Sequence, residues 1–139
     1  MTNFLFAVLT MILWGIAPVF GKLGLGKLEP YTALTLRSLT ISLILLIYGA
    51  AAGKVGALGR MDPASGGLII LEGILGSLVG HLMYFYALKY GETSRMVPIT
   101  AAFPIVTFFV GILFLGEKFS WDKLLGAVLI ITGILIIKR

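Results

Sequence analysis

Residues 66–88 read GGLIILEGILGSLVGHLMYFYAL, and in that run Glu72 and His81 are the only acidic or basic side chains. A helix of this length reaches roughly 35 Å at 1.5 Å per residue, enough to cross the ~30 Å hydrocarbon core of a bilayer. The run is continuous rather than alternating, which excludes a strand of a closed barrel. Stretches of the same kind lie on both sides of it, so helices are predicted at about 3–21, 30–52, 64–89, 93–115 and 120–138. The expected fold class is all-α integral membrane, with five transmembrane helices in an antiparallel bundle, because short connections make consecutive helices antiparallel neighbours. Together they form a single domain over 1–139.

Composition agrees. The chain is 59% hydrophobic and 12% charged, where soluble domains run near half apolar and a quarter charged. No stretch remains for a separate soluble catalytic or nucleic-acid-binding domain. With no Cys, one His and six scattered acids, neither a disulfide nor a metal site is expected. Lys plus Arg number 11, but they sit at the ends of apolar runs, where they meet lipid headgroups rather than nucleic acid.

The first segment has no Lys or Arg before Lys22 and carries Trp14-Gly15 and Pro18 inside it, so it is expected to be an uncleaved helix rather than a signal peptide. Glu29-Pro30 and Asp62-Pro63 read as helix starts. Pro98 and Pro104 interrupt the fourth segment. Ser120 is the expected cap of the fifth, with Asp122 in its first turn and Lys138-Arg139 at its end. That fifth segment reaches only roughly 25 Å, a deficit that Lys123 and Lys138 can cover by snorkelling. With the N-terminus inside, Lys54, Arg60, Lys118 and Lys123 fall on the cytoplasmic side, against Lys22, Lys27, Lys89, Arg95, Lys138 and Arg139 opposite. So weak a bias permits insertion both ways, giving an inverted pair of copies. Fixed orientation beside an inverted partner is the other reading.

Leu13-Trp14-Gly15 with Pro18, Pro30 followed by Leu36-Arg37, Tyr84 to Tyr90, Pro98 with Pro104, Leu115-Gly116-Glu117-Lys118, and Gly126 with Gly133 occur in an order that resembles a single EamA-type domain of the drug/metabolite transporter superfamily. The resemblance covers essentially the whole chain. It implies a transporter whose common form has ten helices in two inverted five-helix repeats, of which this chain supplies one. It also implies a partner: an antiparallel homodimer or a paralogous five-helix half. The first-helix glutamate of the related small multidrug resistance proteins is absent here, so their proton chemistry is not carried over. A multi-pass protein of a bacterial or archaeal inner membrane is expected.

Charged groups inside a bilayer cost roughly 2.5–3.5 kcal/mol each and mark functional candidates, which singles out Arg37, Glu72 and His81. At ~100° per residue, the nine residues from Glu72 to His81 place them on opposite faces. His81, Ser77 and Tyr84 then form a polar stripe suited to hydrogen-bonding a substrate or relaying a proton, or else His81 is a neutral ring satisfied by a neighbouring hydroxyl. Glu72 shares its face with Gly76 and Gly80, and is a counter-ion for Arg37, a proton-binding carboxylate or an interfacial snorkeller. Arg37 itself either lines the path or reaches headgroups.

Pro98 and Pro104 leave the carbonyls of Ser94 and Thr100 without their helical donors. Thr93, Thr100 and Thr107 recur every seven residues, forming a polar wall or bonding back to their own helix. Trp14 and Phe103 can stack on a ligand or anchor at the interface, while Gly126 and Gly133 offer a close helix-packing face. There is no phosphate-binding lysine loop, histidine pair or nucleophile elbow, so no enzyme activity, cofactor or ATP-driven step is expected.

The sequence therefore predicts a carrier that moves a small metabolite, amino acid or drug-like compound by alternating access around a cavity lined by segments one, three and four, with ion or proton coupling. The rivals are a translocator of lipid-linked sugars and a non-transporting accessory subunit.

Overall fold

The computed structural model describes residues 2–137. Its elements are α1 (Thr2–Leu25), α2 (Pro30–Ala51), a 3-10 turn (Val55–Arg60), α3 (Pro63–Glu72), a π-helix (Gly73–Gly80), α4 (His81–Tyr90), α5 (Thr93–Thr100), α6 (Phe103–Leu115) and α7 (Trp121–Ile137). The described residues contain no strand. α3, the π-helix and α4 form one unbroken rod, Pro63–Tyr90. With Asn3–Leu25, Pro30–Ala51 and Thr93–Leu115 it makes four helices long and apolar enough to cross a membrane. α7 is shorter, at 17 residues, in line with the expected deficit of the fifth segment. Lys138 and Arg139 lie outside the described residues.

The chain divides into two compact units, residues 1–90 and 91–139. In the first, the starts of helices follow the sequence signals with one exception. Asp62 caps α3: its carboxylate accepts hydrogen bonds from the Ser65 backbone N–H and hydroxyl, each at 2.9 Å. Those bonds, the backbone one foremost, hold the Asp62 carboxyl below its usual range. Glu29 occupies the capping position of α2 but makes no side-chain cap. Its carboxylate instead pairs with Lys89 at 2.7 Å. α1 also continues past the expected end at residue 21 to Leu25, which brings Lys22 into its last turn.

Most of the buried residues of this unit lie where three helix ends meet. Leu25 closes α1, Pro30 and Leu34 open α2, and Phe85 and Leu88 come from the last turns of α4, all buried. Gly21 packs beside Leu88, whose Cδ1 lies 3.7 Å from where a Cβ would stand, an ordinary van der Waals distance. Two lysines are exchanged across the junction. Lys22 donates to the carbonyls of Leu88 and Lys89 at the end of α4, and Lys89 donates to Leu28 at 3.1 Å and to Glu29. Each ammonium thus serves carbonyls at the negative end of a helix or just beyond it. Away from this junction the rods are uncovered: only 6% of the residues in the apolar window of each of the first three are buried.

In the second unit the span Thr93–Leu115 is interrupted, as expected of the fourth segment, and the interruption is a turn at residues 101–102 between α5 and α6. Pro98 lies within α5. Pro104 lies in the first turn of α6, a position that needs no backbone N–H. α6 ends at Gly116, whose φ of 65° is left-handed, and the Glu117 N–H then returns to Gly111 O at 3.1 Å. The Glu117 carboxylate packs on Gly111 and pairs with Lys123 at 3.1 Å. α7 packs on α5 and α6, with Phe108, Gly111 and Ala127 buried.

Candidate functional site

The strongest local departure from regular helix lies where the sequence places its two central ionisable groups. Gly73–Gly80 is π-helical, with i→i+5 closure in place of i→i+4, a geometry found often at functional sites. Its glycines permit it. A Cβ on Gly80 would stand 3.0 Å from the Leu75 carbonyl oxygen, so this glycine serves the wide turn of its own helix. Gly76 has a polar lid rather than a bare face, because Glu72 Oε1 lies 3.2 Å from where its Cβ would be.

This changes the relation between Glu72 and His81. Opposite faces follow only if every residue turns the chain by the α-helical angle, and the wide turn makes the rotation per residue smaller. Both side chains consequently converge on Gly76: Glu72 covers its Cα, and His81 Nδ1 is 3.0 Å from its carbonyl oxygen. They make no bond to each other. A carbonyl can only accept, so this contact is a hydrogen bond when Nδ1 carries the proton. The His81 ring stands edge-on to Tyr84 at 6.2 Å and to Phe85 at 6.5 Å.

Of the expected polar stripe, His81 and Tyr84 are together, whereas Ser77 is exposed on the π turn. The partner of the ring is a backbone carbonyl rather than a neighbouring hydroxyl. Arg37, exposed on α2, is within electrostatic reach of Tyr84. Among the described residues it forms no ion pair with Glu72. Trp14 projects from α1, 65% exposed.

In the second unit Thr100 donates to Met96 O at 3.0 Å and Val97 O at 2.9 Å, and Thr107 to Phe103 O at 3.2 Å. These are the back-bonds that compete with a polar wall. Each hydroxyl oxygen keeps acceptor capacity, and both residues are exposed. Pro98 is half-buried and Pro104 exposed. Gly126 and Gly133 on α7 have open space where a Cβ would stand.

Two features escaped sequence reasoning. The lysine exchange joins residues 22 and 89, and Lys22 fell outside the expected first helix. The π turn has as its only sequence signal the glycines at 73, 76 and 80, which read equally well as a packing face.

Comparison with known proteins places these features in a context. An uncharacterized transporter in the cobO 3′ region of Sinorhizobium sp. is 28% identical, over 94% of this chain and 92% of its own length. An uncharacterized transporter of Archaeoglobus fulgidus is 32% identical over 86% of this chain, which matches 42% of the relative. The uncharacterized transporter YcxC of Bacillus subtilis is 34% identical over 66% of this chain, matching 30% of the relative. The chain thus spans nearly all of the first and less than half of the other two. No solved structure matches. The sequence matches the EamA-like transporter family over residues 1–139, and the chain, an integral multi-pass membrane protein, belongs to that family.

Proposed function

We propose that this membrane transporter of the drug/metabolite type works as an antiparallel pair of identical chains. Each chain contributes a five-helix half, and the halves rock around a central cavity. The observation that carries the reading is the state of Glu72. Its carboxylate lies within a rod of spanning length, is exposed on the chain and makes no hydrogen bond or ion pair among the described residues. Leaving it against acyl chains would cost roughly 2.5–3.5 kcal/mol. A second chain that encloses water and substrate beside it removes that cost. The exposed Trp14 and Arg37 and the half-buried His81 and Tyr84 supply the polar and aromatic contacts suited to a small, partly apolar metabolite, amino acid or drug-like compound.

Transport is coupled to protons through Glu72 or His81, the two titratable groups that meet at Gly76. The test is uptake by the reconstituted chain across a pH series, using a panel of amino acids and amphiphilic cations. Glu72→Gln or His81→Ala flattens the pH dependence if the coupling is right, and an unchanged profile in both variants refutes it.

A further inference from the structure

α2 ends in a turn that folds the following chain back along the helix. Gly53 has φ 65°, a left-handed conformation that costs other residues roughly 1–2 kcal/mol. Around it the Lys54 N–H bonds to Gly49 O at 2.8 Å and the Gly53 N–H to Ala50 O at 3.2 Å. This is the Schellman pattern, and it satisfies the last carbonyls of α2 from within the loop. The 3-10 turn Val55–Arg60 is thereby laid against α2, with Val55 Cγ2 3.6 Å from where a Cβ on Gly49 would stand.

Between them lies a groove of about 480 Å³, within the roughly 300–1,000 Å³ usual for small-ligand sites. Ser42, Leu45, Leu46 and Gly49 of α2, Lys54, and Val55 and Leu58 of the turn line it, so that apart from Ser42 and Lys54 its walls are apolar. The Lys54 ammonium lies 5.6 Å from the centre of the Tyr48 ring. A tyrosine at the end of a spanning helix sits at headgroup level. Arg60, outside the lining, ends the same turn with a second cation, and residues 50–61 contain no acid. The nearest one beyond them, Asp62, is engaged by Ser65.

An apolar slot running into the bilayer under a cationic, aromatic mouth matches an amphiphile with an acyl chain and a phosphate. We propose that this groove is a binding site for one anionic phospholipid, its acyl chain between α2 and the 3-10 turn and its phosphate against Lys54. Charge complementarity argues for this occupant: residues 50–61 carry Lys54 and Arg60 and no acid, which suits an anionic headgroup.

The test is native mass spectrometry of the full chain extracted with phosphatidylglycerol or phosphatidylcholine. The chain retains phosphatidylglycerol preferentially, and Lys54→Gln reduces that preference about fivefold, the effect of one basic residue at an anionic surface. Gly49→Leu, which fills the groove while leaving the charge, reduces retention of both lipids. Lys118→Gln, in a loop of the second unit, changes neither. Equal retention of both lipids by the unaltered chain overturns the proposal, as does an undiminished preference in Lys54→Gln. Displacement of the lipid by millimolar inorganic phosphate identifies an ion site instead. A Gly49→Leu change in dimer fraction with lipid retention intact identifies a chain–chain contact, and either result also overturns it.

Discussion

Replacing Lys89 by Met keeps the length of the side chain and removes its charge and donors. Lys89 is 20% exposed and donates both to the Leu28 carbonyl at 3.1 Å and to Glu29, which is 69% exposed. A charged donor on a carbonyl contributes about 1.5–3 kcal/mol, whereas an ion pair with one arm in solvent adds at most about 1 kcal/mol. The expected loss is therefore about 2–3 kcal/mol for Lys89→Met. For Glu29→Gln it is about 1 kcal/mol or less, because Lys89 keeps Leu28. At several degrees per kcal/mol for a chain of this size, the first variant melts roughly 8 °C lower and the second only about 2–3 °C lower. Thermal unfolding in detergent, followed by Trp14 fluorescence in a Trp121→Phe background, measures both. A Lys89→Met midpoint unchanged from the parent, or a Glu29→Gln loss as large as that of Lys89→Met, would refute the assignment of this junction as the anchor of the first unit.

Gly53→Ala is expected to cost roughly 1–2 kcal/mol, because the left-handed turn penalises a Cβ, and the same unfolding assay reads it. Gly80→Ala presses a methyl group against the Leu75 carbonyl, 3.0 Å away. The π turn then tightens, and nitrogen NMR of the ring shows His81 losing its Nδ1 hydrogen bond while helicity by circular dichroism is kept. Asp62 gives a pH signature. Its carboxyl is held below its ordinary value in the folded chain, so its stabilising effect is complete above that ordinary value and is lost as pH falls through the depressed one. Asp62→Ala therefore unfolds at lower temperature than the parent at pH 7, and the two melting curves converge in strong acid.

Most of the fold was legible because a bilayer leaves few options: runs of apolar residues, short charged connections and Asp62-Pro63 fix where helices lie. What could not be read depended on long-range or sub-turn geometry. Glu29 resembles a cap because local propensity is all a sequence reports, yet a lysine sixty residues away takes its carboxylate. Pro104 reads in the sequence as an interruption of the fourth segment, and the break at residues 101–102 puts it in the first turn of α6. Glu72 and His81 were identified by the cost of ionisable groups in lipid. Their relation was misjudged because the angle per residue is not constant, and the glycines at 73, 76 and 80 carry no mark separating a π turn from a packing face.

The central claim is that the uncovered faces of this chain are met by a second copy inserted upside down. The chain contains no Cys, so Lys27→Cys and Lys118→Cys each provide a single reporter, one in the first connection and one in the last. Labelling intact cells with a membrane-impermeant thiol reagent tests the claim most directly. Opposed copies predict that about half of the molecules react at each position, with the remainder reacting only after the membrane is opened. Complete labelling of one reporter and complete protection of the other would fix a single orientation and contradict the inverted pair.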